Sequence, residues 1–297
     1  MKKTAQEKIE TCKQTREIAS NGLSIVLEKV LSDGKQISEV EFRDLWLVEL
    51  QKNDGILSEG WYTPPPYGIG VLFGKDTDGE NSRLNFQSLR PEEIWPKKNV
   101  KLDLENGIIF TYASPINKET GVVGDFGVTI YLGRQNEIIS QLKLCKQVVD
   151  QTFESIKVGM TFDDVARHMK SLIDENGLIN EIECQTSPSS ADDVGHTIPF
   201  VSELVPEKFK QSLSNGDLTE VRNTIRHGRI FARAGVNNKI EAGMAFTIEP
   251  RPMVKGNPKI PMTWFHSICV IHTDGRKELL TNFDQIFRTT GMDYMMG

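Results

Sequence analysis

The stretch Glu241-Ala-Gly-Met-Ala-Phe-Thr-Ile-Glu-Pro250 constrains this chain more than any other. It sets Glu249 on an otherwise apolar β-run between a Gly-Met turn and a proline. An ionised carboxylate in an apolar strand is strongly disfavoured unless it is paired or bound to a metal. Glu249 is therefore a ligand or one half of a buried ion pair, and other segments must decide between the two.

Three further segments read as strands. Gly124-Asp-Phe-Gly-Val-Thr-Ile-Tyr-Leu-Gly133 is rich in β-branched and aromatic residues and carries Asp125 at its entrance. Gly195-His196-Thr-Ile-Pro-Phe200 holds a histidine in an apolar run, and Met262-Thr-Trp-Phe-His266-Ser-Ile-Cys-Val-Ile-His272 leads to the turn Thr273-Asp274-Gly275. Asp125, His196, Glu249 and His266 thus sit on separate strand-like segments. Oxygen and imidazole donors gathered from several strands are how a rigid scaffold builds a catalytic metal centre with an open position. Each residue also has a structural reading: Asp125 as a turn or cap residue, each histidine as a satisfied core residue. His272 shares the face of His266 but lies near the turn, and reads as structural. His168, in a helical pattern with Val165, Met169 and Leu172 on one side, reads as solvated.

The order of Gly-Asp-Phe, Gly-His-Thr-Ile-Pro and Ala-Gly-Met-Ala-Phe-Thr-Ile-Glu-Pro, ending in a strand before Thr273-Asp-Gly-Arg-Lys-Glu-Leu-Leu-Thr281, resembles the pita-bread family of methionine aminopeptidases, Xaa-Pro aminopeptidases, prolidases and creatinases. The Gly-Met-x-Phe-Thr-Ile-Glu-Pro match is its most specific part. A helix over Lys143 to Ile156, a Gly-containing turn and a second helix to Glu175-Asn-Gly177 are similar to the family's as well. The resemblance implies an α+β fold, a curved antiparallel sheet covered by helices, over a single catalytic-type domain, residues 1–297. A separate amino-terminal prolidase domain is not expected at this length.

The family's centre holds two divalent ions between two aspartates, one histidine and two glutamates. Carried over, the second aspartate falls on Asp125, the histidine on His196 and the first glutamate on Glu249. The last glutamate falls on His266, nine residues before Gly275. The first aspartate belongs on the strand Gly107-Ile-Ile-Phe-Thr-Tyr-Ala-Ser114, where the chain offers only Tyr112, or Ala113 if the register slips by one. What is lost serves mainly the second ion. The resemblance therefore implies one divalent ion, Zn, Mn, Fe or Co, held by Asp125, His196, Glu249 and His266. Two carboxylates and two neutral imidazoles carry a charge that one such ion neutralises.

A second family histidine, close to the scissile bond, has no equivalent near Glu203. His227 precedes Glu249 at a similar spacing and becomes the candidate general acid or oxyanion donor if an insertion at about 201–226 separates the two histidines. Its alternative is a solvated residue among Arg222, Arg226 and Arg229. The run Gly60-Trp-Tyr-Thr-Pro-Pro-Pro-Tyr-Gly-Ile-Gly-Val-Leu-Phe-Gly74 cannot be a central strand. It is a pocket wall, with Trp61, Tyr62 and Tyr112 as substrate contacts, or a packed loop.

Net charge of −6 and an isoelectric point near 5.5 leave no basic field for nucleic acid. Cys12, Cys145, Cys184 and Cys269 form no Cys-x-x-Cys pair and read as free thiols of a reducing cytoplasm. No signal-peptide pattern or transmembrane run is expected, and thus no membrane partner. The partner expected is a small-molecule or peptide substrate, with a homodimer left open. Three function classes compete: a metal-dependent, aminopeptidase-like hydrolase acting on a peptide amino terminus or another small C–N substrate, a non-hydrolytic mononuclear iron enzyme, and an inactive binding protein on the same fold.

Overall fold

The structure, a computed structural model, describes residues 4–64, 68–86, 88–180 and 194–296. Helices α1 (Ala5–Asp33) and α2 (Glu39–Gln51) open the chain, each begun by a capping box, Thr4 with Glu7 and Ser38 with Glu41. Strands β1 (Ile69–Lys75), β2 (Gly107–Ala113) and β3 (Phe126–Tyr131) follow, then helices α3 (Asn136–Ser155) and α4 (Phe162–Glu175). The second half contains β4 (Leu178–Ile179), β5 (Gly195–His196), α5 (Glu207–Asn215), α6 (Leu218–His227), β6 (Phe231–Ala232) and β7 (Ala245–Ile248). It ends with β8 (Met253–Val254), β9 (Phe265–Ile271), β10 (Lys277–Leu280) and α7 (Asp284–Thr290).

The main sheet is antiparallel, in the order β1-β2-β3-β9-β10, with β7 also paired to β9. This is the α+β pita-bread architecture. β9 is the hub. Its start pairs with β3, His266 opposite Gly127, and its remainder runs between β7 and β10. Side chains alternate along it: Phe265, Cys269 and Ile271 join the larger apolar core with α1 to α4, while Ile268 and Val270 join a second cluster with Val221 and Ile225 of α6. His266 has the parity of the second set, the one on which the helical pair α5–α6 packs, and its ring lies against Tyr112 and Trp264. The helical pair occupies most of the expected insertion and is packed on this second cluster through Phe209, Leu213, Val221 and Ile225.

β1 is an edge strand of the main sheet. Cys12, Cys145 and Cys269 are buried free thiols, and burial pushes Cys12 and Cys145 up to about 12. Cys184 lies outside the described residues. Among the described residues no helix is long and apolar enough to cross a membrane.

Candidate active site

Asp125 stands at the entrance of β3, fully buried. The Trp61 indole donates to its Oδ1 at 2.7 Å, whereas Oδ2 has no hydrogen-bond partner and lies 3.8 Å from His196 Nε2. Burial raises the Asp125 carboxyl to about 7, against the lowering effect of the Trp61 bond. His196, on β5, donates its backbone N–H to Thr247 Oγ1 at 2.8 Å, and its Nδ1 lies 3.0 Å from the Thr197 carbonyl. A carbonyl can only accept, so that contact assigns the proton to Nδ1 and leaves Nε2 a lone pair. Burial, then the charge of Arg229, lowers the His196 imidazolium to about 3, which makes the ring neutral.

Glu249 follows β7 directly. Its Oε1 is 3.7 Å from His196 Nε2 and its Oε2 is 3.6 Å from His266 Nε2. The Thr247 hydroxyl, already accepting from His196, donates to Glu249 Oε1 at 2.8 Å and so fixes the two relative to each other. That hydroxyl lies so close to Gly195, which has φ +154°, that any Cβ there would overlap Thr247. His266 is buried, and burial followed by the charge of Arg16 holds its imidazolium well below the ordinary value.

The four residues thus form a row, Asp125, His196, Glu249, His266, with neighbouring donors 3.6–3.8 Å apart. His196 Nε2, Asp125 Oδ2 and Glu249 Oε1 all bring lone pairs to one region with no donor among them. That is the donor chemistry of a divalent cation. The spacing is slightly loose: ligand bonds of about 2.1 Å in a tetrahedron put donors about 3.4 Å apart. As the side chains stand, no group of three His, Cys, Asp or Glu among the described residues is spaced to hold a metal ion. The row fits one cation in donor type, though not in spacing as the side chains stand.

An aromatic ring stands beside the row. Tyr112 on β2, Gly127 on β3 and His266 on β9 are in register across three strands, so Tyr112, rather than Ala113, faces the row, with its ring centroid 6.3 Å from that of His266. Gly127 between them leaves the space that Trp264 covers: a Cβ there would come within 2.8 Å of the Trp264 ring. Burial keeps the Tyr112 hydroxyl protonated, well above its ordinary pKa. The row opens into a cavity of about 40 Å³ whose walls include Trp61, Tyr62, Tyr112, Trp264, Arg229 and Arg251. Trp61 and Tyr62 at the start of the Pro-rich run therefore form part of a pocket wall.

His227 is elsewhere. It is exposed at the end of α6, its Nδ1 turned back to the Asn223 carbonyl at 2.7 Å, and it does not line the cavity. The helix explains this: α6 buries Val221 and Ile225, and a residue two positions after Ile225 is rotated about 200° from it, towards solvent. The chain leaves the helix at Gly228, and Arg229 is the residue that enters the cavity. His168 is exposed, and His272 bonds Glu278 Oε2 at 2.9 Å, both outside the row.

Arg229, Arg251 and the buried Arg16 of α1 are the functional surroundings that motif reading passes over. Arg16 had a signal. Ile9, Cys12, Arg16, Ala19, Leu23, Val26 and Val30 repeat at alternating steps of three and four, which sets an arginine inside an apolar helical seam. It donates to the carbonyls of Asp125, His266 (2.6 Å) and Thr281 (2.8 Å) and to Asn282 Oδ1 (3.1 Å), thereby tying together the backbones that carry two of the four row residues.

Solved structures with the same architecture include a methionine aminopeptidase from Rickettsia prowazekii, with a TM-score of 0.61 at 14% identity, covering 93% of this chain and 97% of that one. An X-Pro aminopeptidase from Thermotoga maritima matches with a TM-score of 0.60 at 13% identity, over 93% of this chain and 61% of that one. A prolidase from Pyrococcus horikoshii matches at 0.59 and 15% identity, over 94% and 62%. The chain thus spans about three fifths of the length of the latter two proteins. At such identities these likenesses describe the fold. No curated protein sequence matches the chain. The model of metallopeptidase family M24 matches residues 55–273, which include every residue of the row, and the chain belongs to that family.

Proposed function

We propose that this chain is a metal-dependent hydrolase of a small C–N substrate, with one divalent ion held by Asp125, His196, Glu249 and His266. The observation that carries the reading is the convergence of His196 Nε2, Asp125 Oδ2 and Glu249 Oε1 at the mouth of an aromatic cavity. A bound divalent ion would supply Lewis-acid polarisation of a carbonyl and a lowered pKa for water.

The protein's own groups do the rest. Thr197 and Thr247 hold His196 and Glu249 in one orientation before substrate arrives. Glu249, whose side chain keeps 17% exposure, can take a proton from water at Oε2. Tyr112, protonated, has the role of hydrogen-bond donor to the substrate oxygen, and Trp61, Tyr62 and Trp264 exclude bulk water from the reacting group.

Metal analysis of protein purified without chelator tests this. One ion per chain is expected, with added metal raising the melting temperature and His266→Ala abolishing that rise while the apo protein stays folded. Two well-occupied ions about 3.5–4 Å apart would defeat the single-ion reading, and protein free of metal would point to a binding protein. The loose spacing of the row is the observation that favours this second reading.

A further inference from the structure

The Trp61 indole is buried and packed by three neighbours. The Arg229 guanidinium lies 4.3 Å from its centroid, the His196 ring meets it edge-on at 5.7 Å, and Tyr62 is tilted against it at 4.9 Å. A ring so enclosed keeps one rotamer. Its N–H donates to Asp125 Oδ1 at 2.7 Å, while Asp125 Oδ2 is the oxygen 3.8 Å from His196 Nε2. An indole nitrogen can only donate, so the position of the indole sets which oxygen the carboxylate offers to the row.

The segment that carries Trp61 is tied on two sides. Just beyond β2, the Trp61 backbone N–H donates to the Ser114 carbonyl at 3.1 Å and the Tyr62 N–H to Ser114 Oγ at 3.1 Å. From the other side comes α6, itself anchored in the second cluster by Val221 and Ile225. Its Arg222 Nε donates to the Gly60 carbonyl at 3.0 Å, and the same guanidinium pairs with Glu59. That ion pair is partly exposed and worth little, whereas the bond to Gly60 fixes the residue directly before Trp61. A continuous route therefore runs from α6 to the row: Arg222, the Gly60 carbonyl, the Trp61 indole and Asp125.

We infer that Trp61 is a positioning residue that holds Asp125 in one orientation, Oδ1 on the indole and Oδ2 towards the row, and that helix α6 keeps Trp61 in this role through Arg222. The consequence for a bound ion rests on the single-ion reading above; the bond from Trp61 to Asp125 does not.

Proton–nitrogen NMR of metal-free protein carrying isotope-labelled tryptophan tests this. The chain has four tryptophans, and their indole N–H groups differ in partner: Trp46 donates to the Ala19 carbonyl, Trp95 to the Leu89 carbonyl and Trp61 to a carboxylate, while Trp264 has no partner among the described residues. The signal lost in Trp61→Phe should lie furthest downfield, exchange slowly with water and move upfield in Asp125→Asn. Arg222→Met keeps the stem and loses the donor, and should shift and broaden that signal while leaving the one from Trp46 in place. Arg222→Gln carries its amide nitrogen as many bonds from the backbone as Arg Nε, so it can still donate to Gly60 and should restore the signal. Zinc affinity in a chelator competition should fall about 10- to 100-fold in Trp61→Phe and about tenfold in Arg222→Met, and recover in Arg222→Gln. Should Trp61→Phe not fold, Asp125→Asn identifies the signal and the two Arg222 variants carry the test. Wild-type protein that takes up no zinc would defeat the single-ion reading, while the shifted indole signal would still uphold this one. A Trp61 signal indifferent to Asp125→Asn, unmoved in folded Arg222→Met or not restored in Arg222→Gln would overturn it, as would zinc affinity undiminished in Trp61→Phe.

Discussion

Replacing Arg16 with methionine should be among the most damaging single changes outside the row. The guanidinium is fully buried and makes four hydrogen bonds, to the carbonyls of Asp125, His266 and Thr281 and to Asn282 Oδ1, with Phe126 and Phe283 rings 4.9 and 5.7 Å from it. Burial lowers its pKa to about 9, which leaves it cationic at neutral pH. Methionine fills the volume of the stem and removes the charge, so the desolvation cost of a buried ion, several kcal/mol, is recovered. Against that, three carbonyls and one amide oxygen lose their donor, at about 1–3 kcal/mol each. The orphaned acceptors outweigh the recovered desolvation, and a net loss of about 3–5 kcal/mol is expected. For a chain of this size that is a fall of roughly 6–15 °C in melting temperature, read by circular dichroism at fixed protein and metal concentration. Because the carbonyls belong to Asp125 and His266, affinity for the ion should fall together with stability. A variant melting within about 2 °C of wild type would show that the bonds only balance the cost of burying the charge, and would refute this account of what holds β3 and β9 together at the site.

Thr247→Val keeps the shape and removes the hydroxyl shared by His196 and Glu249, so metal affinity should drop about 10- to 100-fold in a chelator competition while the fold persists. Gly127→Ala drives a Cβ to 2.8 Å from the Trp264 ring and 2.9 Å from the Thr111 carbonyl, and should cost about 1–3 kcal/mol in urea unfolding with altered Trp264 fluorescence. Glu39→Gln strips a buried carboxylate from Arg83 and from the N–H groups of Phe73 and Lys97, and a loss of about 3–5 kcal/mol is expected by the same measurement. His227→Ala, an exposed helix-end change, should leave stability within about 0.5 kcal/mol and turnover near wild type; a collapse of activity would restore its catalytic role.

The sequence by itself marked β2, β3, β7 and β9 and several of the helices, because their signals are local. β-Branched runs closed by glycine and proline mark β2, β3, β7 and β9, and an apolar seam marks α1. It also singled out Asp125, His196, Glu249 and His266 for inspection, since a carboxylate or imidazole inside an apolar strand is conspicuous wherever it occurs. It could not say whether they meet, which depends on a register, His266 opposite Gly127 opposite Tyr112, whose β3–β9 half joins strands more than a hundred residues apart in the chain. His227 and Arg229 separate the two kinds of knowledge most sharply. Sequence spacing made the histidine attractive, but the rotation of α6 and the turn at Gly228 give the cavity to the arginine. Arg251 was equally silent, because a guanidinium beside a proline looks like surface until the Trp264 ring is placed next to it. The cavity's walls come from distant segments, and that arrangement exists only once the chain has folded.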